Sequence, residues 1–323
     1  MKVLFMGTPA FAAVSLKRIL DAGHDIVAVV TRADAPAGRG LRTRTSAVKD
    51  LAAGRGLRVL QPRTLRPPAG ADVLRECAAL APEIVVVVAY GRLLPPEMIS
   101  LAPHGAVNVH ASLLPAYRGA APIAWAIARG ERETGVTTMR MTDELDAGDI
   151  LLQEAIPIHD DETTGALETR LAELGGDLLV TTIERIATGR IAAASQDPGQ
   201  VSWAPRITRQ DGRIDWGMDC REIERRVRAF DPWPVAWTTT AAGRLLRVLK
   251  ARPVERASGG ASPGTVQAVR GAAAGSAPGV EVACGRGALL MMEVQPEGRR
   301  RMRADEAASG RHLAEGDRLG APS

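Results

Sequence analysis

Five consecutive β-branched residues, Ile84 to Val88, lie in the middle of a stretch where strand-like and helix-like segments alternate. A strand apolar at every position has no face to give to water, so it must be covered on both sides, as parallel strands are. Around it, Lys2 to Met6 reads as a buried strand. Thr8-Pro9 follows as an N-cap with proline at the first helical position, opening a helix toward Ile19-Leu20 that Gly23 closes. Asp25 to Thr31 is a second strand, and 32–45 is a basic loop. A helix from about Ser46, a short strand near Arg58 to Leu60 and a helix from about Ala71 lead to the central strand. Ala106 to His110, Gly135 to Met141 and Ile150 to Ile158 follow as strands, with helices at Ile123 to Ala128 and at Thr164 to Ala187. Alternation of this kind predicts an α/β unit: a doubly wound, mostly parallel sheet with right-handed crossovers.

The chain changes character near residue 190. Residues 191–206, with SQDPGQ, read as a linker. Beyond it stands one convincing helix, Asp219 to Phe230, with Ile223, Val227 and Phe230 on one face. Short β-like stretches follow at 244–251, 264–269, 279–284 and 288–295, broken by Gly, Pro and Ser. They predict a small OB-like β-barrel, closed or partly open. The expected division is a first domain at 1–190, a linker at 191–206 and a second domain at 207–323, and 323 residues suffice for two cores.

Charge separates the halves. Residues 206–323 carry 20 Lys and Arg against 14 Asp and Glu, whereas residues 1–205 carry 21 against 23. A basic second half points to a polyanionic partner, with a solvated Arg-rich surface as the plainer alternative. Cys77, Cys220 and Cys284 offer no CxxC spacing and no disulfide framework, which fits a reducing cytoplasm. No apolar run nears the roughly 20 residues that span a bilayer, so no membrane role is expected.

Candidate chemistry sits in Asn108-Val109-His110. Side chains alternate along a strand, so Asn108 and His110 share a face, about 6–7 Å apart. The strand ends at His110, and open α/β sheets bind ligands beyond their carboxyl ends. An imidazole that polarises a carbonyl needs a partner to hold its proton. The acidic stretch TDELDAGD offers Asp143, Glu144, Asp146 and Asp149, and spacing alone does not choose among them.

Together, NVHASLLPAYRGAAPI at 108–123 and ETGVTTMRMTDELDAGDI at 133–150 resemble the signature of the formyltransferases that use 10-formyltetrahydrofolate. GTPAFA at 7–12, PAGRG at 36–40, QPRTLRP at 61–67, VVVAYGRLLP at 86–95, DGRIDW at 211–216 and AFDPWPVAW at 229–237 extend the resemblance in order over nearly the whole chain. It is closest to the branch that acts on methionyl-tRNA. The resemblance implies a catalytic trio of Asn108, His110 and Asp146. It implies folate contacts at Ser112, Leu113, Leu114 and Pro115, and around Arg92, Leu93 and Leu94. It also implies transfer of a formyl group to the methionine amine of charged initiator tRNA.

In the same family the basic loop meets the acceptor end of the tRNA, which marks Arg39, Arg42 and Arg44. LRTRTSAVK departs from the family there, lacking its prolines and using Arg for Lys. Arg299, Arg300, Arg301 and Arg303 form the densest basic cluster of the second half. A nicotinamide or flavin cofactor is not expected, because GTPAFA supplies only the first glycine of GxGxxG. Nor is a metal: there is no HExxH, and His24, His104, His159 and His312 lack ligand spacing. The expected enzyme is a cytoplasmic monomer. Its rivals are a formyltransferase for a sugar-nucleotide amine, a formyltetrahydrofolate hydrolase and a non-catalytic tRNA- or folate-binding protein.

Overall fold

The computed structural model describes residues 1–37, 42–255, 260–271 and 277–320. They form two compact units, one of residues 1–122, 133–157 and 168–204, the other of 123–132, 158–167 and the chain from Pro205.

The strands and helices from the N-terminus to Ala187 are β1 (Lys2–Gly7), α1 (Ala10–Asp21), β2 (Asp25–Val30), β3 (Ala35–Ala37), β4 (Arg42–Arg44), α2 (Ala47–Gly54), β5 (Val59–Leu60), α3 (Ala71–Ala79), β6 (Ile84–Val88), α4 (Pro96–Ile99), β7 (Ala106–His110), α5 (Pro122–Arg129), β8 (Glu133–Arg140), β9 (Ile150–Pro157) and α6 (Thr164–Ala187). Seven strands make one sheet in the order β5-β2-β1-β6-β7-β8-β9. The first five are parallel, β8 runs against them, and β9, antiparallel to β8, returns to their direction. Every residue of β6 is buried, as its apolar run requires. The strand order reverses between β1 and β6, the switch point where such sheets open a crevice.

Two local expectations are corrected. The N-cap of α1 is Pro9, without a side-chain hydrogen bond, and not Thr8. Thr8 donates its hydroxyl instead to the Tyr90 carbonyl at 3.2 Å, tying together the loops after β1 and β6. The basic loop at 32–45 also contains a ladder, β3 antiparallel to β4. Ser46 caps α2, accepting from the Lys49 amide at 3.1 Å.

Register decides which face of β7 carries chemistry. Val109 pairs with Thr138, whose hydroxyl meets that of Thr182 on α6 at 2.8 Å. Helix α6 therefore covers the face of Val107 and Val109. Asn108 and His110 project from the other face, and His110 pairs there with Thr137.

The second unit contains α7 (Cys220–Ala229), β10 (Ala236–Thr239), β11 (Leu245–Val254), β12 (Val266–Arg270), β13 (Gly279–Ala283), β14 (Ala288–Pro296), β15 (Met302–Arg303) and α8 (Ala304–Ser309). Its sheet is antiparallel, in the order β10-β11-β14-β13-β12, with β15 on β14. Among the described residues no ladder joins β10 to β12. Ile223 and Val227 of α7 enter the core with Leu246, Val248, Val280, Val282, Leu289 and Met291. Asp219 starts α7 by accepting from the Arg221 amide. In the same unit Trp125 of α5 meets Phe230 edge-on, with ring centroids 6.4 Å apart.

Candidate active site

His110 is 6% exposed at the carboxyl end of β7. Its Nε2–H donates to the Tyr117 carbonyl at 3.0 Å. Its Nδ1 faces Asp146 Oδ2 at 3.7 Å, an ion-pair distance and too long for a hydrogen bond. Asp146 Oδ2 in turn accepts from the Gly119 amide at 2.9 Å. The sequence left four carboxylates open, and only one of them meets the imidazole. Asp143 and Glu144 are exposed, and Asp149 accepts from the Ser195 hydroxyl.

Both groups that hold His110 come from residues in the left-handed backbone region, Tyr117 at φ +62° and Asp146 at φ +51°. Such conformations cost about 1–3 kcal/mol each and persist where their surroundings over-determine them. Here the surroundings are specific. Gly119, at φ +117°, has no room for a side chain, since a Cβ would lie 2.7 Å from the Ala204 carbonyl. Gly148 is as constrained: a Cβ would sit 1.8 Å from the Arg140 carbonyl, so only glycine closes the acidic loop.

Asn108 is half-buried on the same face. Among the described residues its carboxamide has no hydrogen-bond partner. A half-exposed amide, a buried imidazole and a carboxylate can together bind a carbonyl oxygen and hold one proton.

The turn after His110 is built from backbone. Thr137, fully buried, donates to the Ser112 carbonyl at 2.6 Å and accepts from the Leu114 amide at 3.1 Å. Gln153 on β9 donates to the Leu114 carbonyl at 2.8 Å and to the Thr137 hydroxyl at 2.9 Å. Ser112 donates its hydroxyl to the Ala116 carbonyl. Ser112 and Leu114 are buried, while Leu113 and Pro115 are half-exposed. Of the other expected folate group, Arg92 and Leu93 line a cleft of about 260 Å³ with Thr64, Leu65 and Arg66. Leu93 is 63% exposed, whereas Leu94 packs against the core beneath.

Arg42 and Arg44 lie in β4, and Arg39 lies outside the described residues. In the same basic stretch Lys49 pairs with Asp34 at 2.5 Å. The Lys49 ammonium and the Gln61 amide hold the Asp34 carboxyl below its usual range. That lysine's charge is spent inside the protein. In the second unit, Arg301 pairs with Glu293 and Arg303 with Asp305, while Arg299 and Arg300 are exposed.

Sequence reasoning missed Tyr117, Gly119, Thr137, Gln153 and Gln196. Tyr117 and Gly119 act through backbone atoms, which leave no side-chain signature. Gln196 donates to the carbonyls of Asp146 and Gly148 from a stretch read as a linker.

The family models agree with this architecture. The formyl transferase model matches residues 1–183, and the formyl transferase C-terminal domain model matches residues 206–312. The chain belongs to the formyl transferase family. The methionyl-tRNA formyltransferase of Anaeromyxobacter dehalogenans is 47% identical over 312 residues, covering 96% of this chain and 97% of its own. That of Methylococcus capsulatus is 45% identical over 320 residues, covering 99% and 100%. Among solved structures, the N-formyltransferase from Helicobacter canadensis, in complex with folinic acid and dTDP-3-aminofucose, shares the fold with a TM-score of 0.66. It is 18% identical and covers 92% of this chain and 99% of its own.

Proposed function

We propose that this chain transfers the formyl group of 10-formyltetrahydrofolate to the free amine of methionine on charged initiator tRNA. The observation that carries the reading is the convergence of His110 and Asp146 at 3.7 Å, with Asn108 on the same strand face. It occurs in a chain that aligns end to end with methionyl-tRNA formyltransferases. When bound, the folate supplies an electrophilic formyl carbon, whose oxygen gains negative charge as the amine attacks.

Roles follow from the hydrogen bonds. Asn108 has a carboxamide to donate to that oxygen, and a preorganised oxyanion donor is worth about 2.7–4 kcal/mol. The Nε2–H of His110 is committed to the Tyr117 carbonyl. The neutral ring therefore carries its lone pair on Nδ1, toward Asp146. A proton leaving the amine is taken up at Nδ1, where the Asp146 carboxylate stabilises the imidazolium. The same proton is available to the departing folate nitrogen. Asp146 is fixed in place by the Gly119 amide.

The folate is held by the surface of Leu113 and Pro115 on the Ser112–Pro115 turn, and by the cleft beside Arg92 and Leu93. That cleft offers apolar area for a flat ring and guanidinium groups for carboxylates. Leu94 supports the cleft from the core side. The tRNA acceptor end meets the loop carrying Arg39, Arg42 and Arg44, and its phosphates meet the basic second unit. The enzyme acts in the cytoplasm as a monomer. Among the described residues no helix is long and apolar enough to cross a membrane.

One experiment separates the readings. The protein is offered 10-formyltetrahydrofolate with methionyl-initiator tRNA, uncharged tRNA or a sugar-nucleotide amine. Formyl product on the charged tRNA alone is expected. Product on the sugar amine, or folate turnover without any acceptor, would overturn the proposal. Light scattering of the purified protein tests the monomer.

A further inference from the structure

We infer that residues 194–204, which lie between the two family-matched stretches, belong to the catalytic apparatus, with Gln196 and Ser202 as positioning residues for Asp146 and His110. The inference rests on the roles proposed above for those two groups.

The segment is hydrogen-bonded at both ends. Ala194 exchanges two backbone bonds with Ile150, at 2.8 and 2.9 Å, directly after the acidic loop. Further on, the Arg118 amide donates to the Ser202 carbonyl at 2.9 Å, and the Ala204 amide donates to the Arg118 carbonyl at 2.8 Å. The Ala121 amide then donates to the Ala204 carbonyl at 3.2 Å. This strap thus joins the two loops that deliver the Tyr117 carbonyl, the Gly119 amide and the Asp146 carboxylate.

Gln196 is the central clasp. It is 9% exposed, and every polar position on its amide is used. Its Nε2 donates to the carbonyls of Asp146 at 2.9 Å and Gly148 at 2.7 Å. Its Oε1 accepts from Arg118 Nε at 3.0 Å and Nη2 at 2.7 Å. One side chain therefore fixes the backbone of Asp146 and the residue between Tyr117 and Gly119. Ser202 acts on the other arm, where its hydroxyl accepts from the Tyr117 amide at 2.9 Å.

Tyr117 and Asp146 are both non-glycine residues at positive φ. A non-glycine residue there relaxes toward negative φ unless it is restrained. Relaxation at Asp146 swings its carboxylate from His110, and relaxation at Tyr117 withdraws the carbonyl that sets the ring tautomer. Gln196 and Ser202 restrain these two residues. Their hydrogen bonds go to the loops that hold His110 and Asp146, so they act through that pair.

The test uses the full-length enzyme and measures kcat and both KM values against pH. The variants are Gln196→Ala, Gln196→Glu, Ser202→Ala, Ser202→Thr, Asp146→Ala and the Asp146→Ala/Gln196→Ala double. Glutamate is isosteric and keeps the acceptors for Arg118, but it sets a carboxylate against two carbonyl oxygens. Both Gln196 variants should lose about 10- to 100-fold in kcat, the scale of a misplacement near 1 Å. Both KM values should stay within about threefold, and the pH midpoint of kcat/KM should move. Ser202→Thr should recover most of what Ser202→Ala loses, and the double variant should be no slower than Asp146→Ala alone. Gln196 variants with parental kcat and pH profile, beside an inactive Asp146→Ala, would overturn the inference alone. A fully active Asp146→Ala would instead sink the catalytic roles beneath it. If the alanine variant does not fold, the glutamate variant and the Ser202 pair decide.

Discussion

His110 donates from Nε2 to the Tyr117 carbonyl at 3.0 Å, and its Nδ1 lies 3.7 Å from the Asp146 carboxylate. This arrangement predicts that His110→Ala damages turnover far more than folding. Loss of acid–base help costs about 10²–10⁴ in rate. The stability cost is the one hydrogen bond lost at the Tyr117 carbonyl, about 0.5–1.5 kcal/mol. Single-turnover formylation and urea unfolding on the same preparation check both. Near-normal formylation by this variant would end the assignment.

Asn108→Ala should separate the two effects further. The carboxamide has no partner among the described residues, so its removal orphans nothing. The melting temperature should be unchanged while kcat falls about 10²–10³-fold. A melting temperature that falls in step with activity would make Asn108 a structural residue.

Thr137→Val keeps the shape of a fully buried side chain and removes the hydroxyl on which the Ser112–Leu114 turn hangs. Each buried group left unpaired costs about 1–3 kcal/mol. The variant should be less stable, and its KM for the folate should rise more than its KM for tRNA, with Thr137→Ser near parental. Equal changes in both KM values would detach this turn from folate binding.

The three cysteines are buried and free. Burial pushes the Cys77 thiol up to about 11 and the Cys284 thiol to about 12, from an ordinary 9.0. Cys220 is also raised, by burial and then by Asp219. A thiol whose folded pKa is raised holds its proton more tightly in the native state. Its stabilising contribution is complete below pH 9 and is lost as pH rises toward 11–12. Native protein at pH 8 should therefore resist thiol reagents, and unfolding stability should decline above pH 9. Rapid labelling of Cys77 at pH 8 would contradict the burial argument.

Affinity for the charged tRNA should fall steeply between about 50 and 200 mM salt. Arg299→Ala and Arg300→Ala should each lower the salt slope by about 1, as expected for lost phosphate contacts. Arg303→Ala should act differently, because its guanidinium holds the Asp305 carboxyl below the usual range. A carboxylate depressed in this way stabilises the fold above its unfolded pKa and loses that contribution as acid protonates it. Arg303→Ala should thus be less stable at pH 7 and lose that difference at low pH. Salt-insensitive tRNA binding would remove the second unit from the interface.

Much of the fold was legible because its signals are local. The bounds of β7 and α6 could be read directly, since period-2 and period-3.6 patterns need only neighbouring residues. The cap of α1 was not: Thr8 could serve the helix or the Tyr90 carbonyl, and that carbonyl lies 82 residues away. The antiparallel run of β8 between β7 and β9 was hidden for a similar reason, because an apolar run does not state the direction of its partner.

The chain alone determined that Asn108 and His110 share a strand face at the end of a buried sheet, because alternation along a strand is geometry and requires no partner. It could not rank Asp146 above three neighbouring carboxylates, and resemblance alone singled it out. Only the tertiary structure decided that Asp146 reaches the imidazole, that Thr137 carries the turn beyond it, and that Gln196 and Ser202 clasp the loops on either side. Those contacts join residues as far as 85 positions apart, through backbone atoms that every residue possesses and no composition betrays.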